Sequence, residues 1–271
     1  MRDSEFEFIR NLVYERSRIN LGPDKRELVT SRLGKRLRAT NIPSLREYCL
    51  LLKSPGAEQE MCDLIDVIST NHTFFFRESA HFEFLRKKVI PEVRARARAG
   101  AVAPFNVLSA ACSTGEEAFS IAITLADHLK DRPWQVTACD ISRRVLEIAR
   151  NATYCEDAMT QVSQEVILAH FQRGFGPEKG KVRVKKDLRD RVKFQQLNLL
   201  RGDPSAKEPY EVIFCRNVMI YFDRATQEEL VNRLTRYLAP GGYLFVGHAE
   251  SLTNLRHSLK PVQAAIYRRA A

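Results

Sequence analysis

FNVLSAACSTGEEAFSIAITLA, residues 105–126, is written as a strand, a turn and a helix in succession. Residues 105–111 are mostly apolar or small, as in a strand buried on both faces. Small residues then turn the chain, and a helix begins near Ser113 or Thr114, either of which can cap its free N–H groups. Further apolar runs at 134–140, 192–197, 210–215 and 243–247 alternate with helical patterns around 116–130, 142–151 and 225–238. That alternation predicts an α/β fold, with a mostly parallel sheet covered by helices on both faces. The stretch RGFGPEKGKVRVKKDLRDRVKF (173–194) departs from it, with three glycines, an alternating Val182/Val184 strand, a charged turn and a second strand from Val192. It predicts a small antiparallel β insertion over about 174–192.

Upstream the texture changes. Phe6, Ile9 and Val13, then Val29, Leu33 and Leu37, then Met61, Leu64, Ile65 and Ile68 recur at helical spacing, which predicts an all-α N-terminal domain over 1–88. PEVRARARAGAVAP, with Gly100 and Pro104, reads as a helix end and linker at 89–103, leaving 104–271 as the α/β domain.

The 271 residues are 44% hydrophobic, enough for a substantial core. No run approaches the roughly 18 apolar residues of a membrane span, and MRDSEFEFIR lacks the apolar core of a signal peptide, so a cytoplasmic protein, not embedded in a membrane, is expected. Six cysteines lie far apart without metal-ligand spacing, so reduced thiols and no metal are expected. Lys and Arg exceed Asp and Glu by 43 to 33, and residues 16–46 hold nine basic side chains against two acidic ones. Acidic partners are implied.

The turn after the first strand is where open α/β sheets bind their ligands. It is not a G-x-G-x-x-G loop: Gly115 is followed at once by Glu116 and Glu117. Two acids repel a pyrophosphate and attract a positive ammonium or sulfonium, which disfavours NAD and favours S-adenosylmethionine. Acids in a first helical turn also complement the helix dipole without any ligand. WQVTACD then closes a strand on Asp140, where an acid accepts hydrogen bonds from ribose hydroxyls, or merely caps the following helix. Asn198 in QQLNLL can contact an adenine edge, and Arg216, Asn217 and Tyr221 follow the strand EVIFC.

Together TNHTFFFRE, SAACSTGEE, QQLNLL, FCRNVMIYF and GGYLFVGHAE, in this order, strongly resemble the chemotaxis receptor methyltransferases, the CheR family. The resemblance spans almost the whole chain. It implies a bacterial protein-glutamate O-methyltransferase with a Rossmann-like class I methyltransferase domain. Such an enzyme moves a methyl group from S-adenosyl-L-methionine to glutamates of methyl-accepting chemotaxis receptors and leaves S-adenosyl-L-homocysteine. Motif by motif it places Asn71, Thr73, Arg77, Glu117, Asp140, Asn198, Leu199, Arg216 and Asn217 around the cofactor, with Glu116 or Glu117 as the main acidic contact. It further implies that the β insertion can dock a receptor tail peptide.

On that reading the segment STNHTFFFRES is a lid: Asn71 and Thr73 bond the cofactor, some of the rings of Phe74, Phe75 and Phe76 exclude water, and at least one ring fills the seam between domains. Arg77 leads in the anionic substrate, unless it only pairs with Glu78 at the surface. Tyr221 orients the attacking oxygen. Lys25, Arg32 and Arg36 share one face of a basic helix with Lys35 beside it, a ridge suited to a glutamate-rich receptor bundle or simply a solvated face. No nucleic-acid partner is expected, because NVMIY lacks the Pro-Pro pair of amino-directed methyltransferases. Catalysis by Cys112, Cys139 or Cys215 is weighed and set aside, since small thiols are common at strand ends.

Overall fold

The computed structural model describes residues 1–98, 104–204 and 208–271. The chain divides into two compact units, Met1–Thr70 with Met219–Gln227, and Asn71–Val218 with Glu228–Ala271.

The first unit is helical: α1 (Asp3–Ser17), α2 (Arg26–Thr40), α3 (Leu45–Lys53) and α4 (Glu58–Ile68). α1 ends where Arg18 turns left-handed and its N–H closes on the Tyr14 carbonyl. α2 follows a 3₁₀ turn opened by Pro23 and stops at left-handed Asn41. The expected periodic positions meet in one core, with Phe6, Ile9, Val13, Val29, Leu33, Leu64 and Ile68 all buried. Tyr14 Oη donates to Asp223 Oδ2 at 2.6 Å and Asn20 N to the Tyr221 carbonyl at 2.8 Å, so the short segment 219–227 belongs here although it lies far along the chain.

The second unit begins with α5 (Ser79–Phe84), a π-helical turn Leu85–Val89 and α6 (Ile90–Arg98). Then come β1 (Phe105–Ala110), α7 (Glu116–His128), β2 (Trp134–Asp140), α8 (Arg143–Asn151), β3 (Thr153–Cys155), α9 (Gln164–His170), β4 (Phe171–Arg173), β5 (Lys181–Val184) and α10 (Lys186–Arg189). β6 (Val192–Gln196), β7 (Tyr210–Cys215), α11 (Arg224–Tyr237), β8 (Leu238–Val246), β9 (Lys260–Gln263) and β10 (Ile266–Arg268) complete the chain. The main sheet has the order β6-β2-β1-β7-β8-β10-β9. Its β6-β2-β1-β7-β8 portion is parallel and β10 is antiparallel to both neighbours. The chain winds outward from β1 to β2 and β6, then returns to lay β7 on the other side of β1. That reversal makes the carboxyl ends of β1 and β7 the crevice in which such sheets hold ligands.

Two expectations change. The small antiparallel sheet is present, but its order is β3-β5-β4 and its strands span 153–184. The strand from Val192 is β6, which pairs in parallel with β2 because its apolar positions are needed on the main sheet. The division of the chain falls at Thr70/Asn71, earlier than 88, since Phe75, Phe82, Leu85, Val89, Ile90 and Val93 are buried in the core of the sheet unit. Of the segment read as a linker, residues 90–98 are helix α6, and residues 99–103, with Gly100, lie outside the described residues.

Candidate functional site

The turn after β1 is built from unusual backbone. Ala111, Ser113 and Gly115 all have positive φ (64°, 49° and 98°). Gly115 has no substitute: besides its φ, a Cβ there would sit 2.9 Å from Ala149 Cβ. It is also the residue before α7, so neither Ser113 nor Thr114 caps that helix. Ser113 Oγ instead donates to the Asn71 carbonyl at 3.0 Å, and Thr114 Oγ1 to Glu116 Oε2 at 2.6 Å.

The two glutamates of the turn are thereby separated. Glu116 is buried against Thr114, and burial raises its pKa despite that hydrogen bond. Glu117 points at the strand mouths, accepting from Ser109 Oγ at 2.6 Å, with its other oxygen 3.3 Å from Arg216 Nε. Burial pushes its pKa up and Arg216 opposes the rise. Asp140 takes neither role alone: Oδ2 accepts from Ser113 N at 2.8 Å and Oδ1 from Ser142 N at 2.9 Å, while Ser142 caps α8. One carboxylate thus ties the turns after β1 and β2 together.

Arg216 follows β7 with its side chain only 2% exposed. It donates from Nη2 to the Arg77 carbonyl at 2.6 Å and lies 3.6 Å from Glu78 Oε2. Asn217, left-handed at φ 58°, donates from its amide nitrogen to Glu78 Oε1 at 3.3 Å. Its backbone N–H and that of Gly247 both reach Glu250 Oε2, at 2.8 and 2.6 Å. A Cβ on Gly247 would lie 2.5 Å from the Asn217 amide nitrogen, so this corner also requires glycine. Asn198 Oδ1 accepts from Leu200 N at 3.0 Å, and Leu199 beside it is half-buried.

The segment 71–78 therefore meets the turn after β1 through Asn71 and the end of β7 through Arg77 and Glu78. Its rings divide. Phe75, 1% exposed, packs edge-on against Tyr154 and Phe171 at 5.0 and 5.4 Å, in the core of the sheet unit. Phe76 packs on Phe82 at 5.3 Å. Phe74 stays with Arg77, whose guanidinium stands 5.8 Å from its ring and donates to the His72 carbonyl. Glu78 turns to Arg216 and Asn217. Thr73 is half-buried in the same segment.

Ser109, Glu78 and Glu250 are parts of this constellation that sequence reading did not single out. Glu78 and Glu250 lie inside quoted motifs, but nothing in their spacing reveals that they accept from the mouths of β7 and β8. Burial raises all three strand-end thiols, Cys139 to about 12, so none supplies a thiolate at neutral pH.

In the helical unit Arg36 is clasped by Glu60 and Asp63, and Arg32 donates to the Ile68 carbonyl and to Thr70 Oγ1. Lys35 is exposed; Lys25 is exposed and pairs with Asp24 at 2.8 Å. The expected ridge is thus half scaffold, in Arg32 and Arg36, and half exposed charge, in Lys25 and Lys35. Tyr221 belongs to the same unit as Lys25 and Arg32.

Comparison with known proteins agrees along the chain. Residues 71–268 match the family "CheR methyltransferase, SAM binding domain" and residues 4–69 "CheR methyltransferase, all-alpha domain". The chain is 42% identical to the chemotaxis protein methyltransferase of Salmonella typhimurium over 257 residues, 94% of this chain and 86% of that one. It is 41% identical to the chemotaxis protein methyltransferase of Escherichia coli, covering 94% and 87%. It is 39% identical to chemotaxis protein methyltransferase 2 of Pseudomonas aeruginosa, covering 97% and 92%.

Proposed function

Because the chain belongs to the CheR methyltransferase family, and is thus an S-adenosylmethionine-dependent methyltransferase of chemotaxis, we propose that it esterifies glutamate side chains of methyl-accepting receptors. The observation that carries the reading is Glu117, a carboxylate with only 11% of its side chain exposed, held between Ser109 of β1 and Arg216 after β7. The residues fit the cofactor: an acid for the ammonium group, the Asp140 carboxylate at the end of β2 for the ribose, and a turn closed tightly on Gly115. S-adenosylmethionine supplies, when bound, a methyl group made electrophilic by the sulfonium.

The acceptor glutamate is ionised at pH 7, so the protein needs no general base for it. Its task is alignment, which in well-oriented reactions is worth on the order of 7–11 kcal/mol. Arg77 draws in the acceptor carboxylate, and the Phe74 ring beside it keeps water out. Tyr221 orients the attacking oxygen. Asn71, Thr73, Asn198, Leu199 and Asn217 complete the proposed cofactor seat. On the helical unit, exposed Lys25 and Lys35 steer an acidic receptor bundle, while Arg32 and Arg36 shape the same face from their fixed positions. The β3-β5-β4 sheet, whose β4–β5 connection holds Phe175 at 88% exposure, is the proposed seat of a receptor tail peptide. Among the described residues no helix is long and apolar enough to cross a membrane, which accords with a cytoplasmic enzyme working on receptor tails.

The test is incubation with radiolabelled methyl donor and receptor-containing membranes. Label released as methanol by mild alkali is the expected result, because carboxyl esters hydrolyse and N-methyl groups do not. Alkali-stable label would overturn the ester assignment.

A further inference from the structure

The buried charges around Arg216 do not close. Its guanidinium lies 3.3 Å from Glu117 Oε2 and 3.6 Å from Glu78 Oε2, yet Nε and Nη1 make no hydrogen bond, and neither does Glu78 Oε2. The cation hangs between two carboxylates and is fully bonded to neither. Glu78 is otherwise well held, accepting at Oε1 from Asn217 Nδ2 and His248 N, both at 3.3 Å. Glu117 is anchored on its far oxygen by Ser109.

A ligand ammonium that approaches Glu117 competes with Arg216 for Oε2. If Glu117 were the guanidinium's sole counter-ion, that competition would strand a buried cation, which is a costly arrangement. Glu78 removes the difficulty. We propose that Glu78 is a positioning residue that takes over Arg216 as its counter-ion when Glu117 engages the cationic end of the methyl donor. The hand-over needs a shift of only tenths of an ångström toward hydrogen-bonding distance, since Glu78 already stands 3.6 Å away. It also carries the movement into the Arg77 carbonyl, to which the same guanidinium donates.

The neighbours support this assignment. His81 Nδ1 is 3.5 Å from Glu78 Oε2, and the imidazole is 1% exposed with both nitrogens unbonded. Burial, and Arg216 after it, lower its pKa to about 4, so it is neutral at pH 7 and leaves Glu78 free for the guanidinium. Glu78, His81 and His248 also bring ligand atoms within 4.8 Å of one another. A divalent ion there would face the guanidinium across one shared carboxylate, and the like-charge repulsion favours Arg216 as the cation of this site.

This inference rests on Glu117 as the partner of the donor's ammonium group, and calorimetry can separate the two. S-adenosylhomocysteine carries that ammonium; 5′-methylthioadenosine lacks the whole amino-acid end. Glu78→Gln is expected to weaken S-adenosylhomocysteine binding by about tenfold or more and to leave 5′-methylthioadenosine within about threefold. Adding Glu78→Gln to Glu117→Gln is expected to cost little beyond Glu117→Gln alone. Unchanged affinity for S-adenosylhomocysteine in Glu78→Gln, or equal losses for both ligands, overturns the proposal. Unchanged affinity in Glu117→Gln overturns the ammonium assignment instead. Should Glu78→Gln not fold, Glu78→Asp, which keeps the charge with a shorter reach, carries the same comparison: a loss confined to S-adenosylhomocysteine supports the hand-over, and losses shared equally refute it.

Discussion

Arg36 and Arg216 are each set between two carboxylates, one in the helical unit and one in the sheet unit, and they are bonded in opposite ways. Arg36, with 20% of its side chain exposed, makes charge-assisted hydrogen bonds to Glu60 and Asp63, and Tyr48 completes Glu60 at 2.6 Å. Arg216, far more buried, stands at 3.3 and 3.6 Å from its acids and leaves two nitrogens unbonded. A saturated cluster is scaffold, since nothing is gained by disturbing it. An unsaturated buried one keeps hydrogen-bonding capacity that, on the proposal above, a ligand completes.

The largest test of that contrast is the pair of alanine variants. Arg216→Ala is expected to lower stability by about 3–5 kcal/mol, because two buried carboxylates lose their cation, and to abolish measurable S-adenosylhomocysteine binding. Arg36→Ala is expected to cost about 1–2 kcal/mol and to leave that binding unchanged. Urea unfolding and calorimetry read both, and equal effects on binding would erase the distinction.

Arg77→Ala comes next. Receptor methylation is expected to fall by about 100-fold or more while S-adenosylhomocysteine affinity falls less than about tenfold. Near-normal methylation would remove Arg77 from the reacting end of the site.

His81 sharpens the picture through pH. Its imidazole is charged in the unfolded chain below about 6.5 but stays neutral in the fold until about 4. Its contribution is therefore fully present above pH 6.5 and is lost as pH falls toward 4, by about 2 kcal/mol between pH 7 and pH 5. Chemical unfolding at the two pH values should show this loss, and His81→Phe should flatten it; an unaltered slope in the variant would place the acid sensitivity elsewhere.

Asp140→Ala is expected to weaken S-adenosylmethionine binding by about tenfold, read by calorimetry, since it frees two loop N–H groups as well as removing lone pairs. Unchanged affinity would confine Asp140 to loop structure. The smallest effect belongs to the exposed lysines of the helical unit. Lys25→Glu with Lys35→Glu is expected to slow receptor methylation a few-fold at low salt and hardly at all at high salt; a salt-independent change would refute steering.

Much of the fold is legible in the chain because burial imposes periodicity. β1, β2, β6 and β7 begin where the apolar runs begin, and Phe6, Ile9 and Val13 fall in one core as their spacing predicts. The segments that mislead are those whose partners lie far away. Val192 alternates with its neighbours as a hairpin strand would, but the open edge of β2 claims it. Residues 85–98 carry the charge pattern of a linker on one side and, on the other, Leu85, Val89, Ile90 and Val93, which the sheet unit's core requires. The acids show the same divide: Glu116 and Glu117 are neighbours of one type, and only the helix start at Gly115 sends one to Thr114 and the other to Ser109 and Arg216.

By itself the sequence determined the class of fold and the family, because strand periodicity and five ordered motifs are local properties. Only the tertiary structure decided which carboxylates are spent on backbone N–H groups, which share a cation, and which cations remain exposed. Those outcomes depend on distances between residues up to 170 positions apart, and a hydrogen bond forms or fails within half an ångström that no spacing along the chain records.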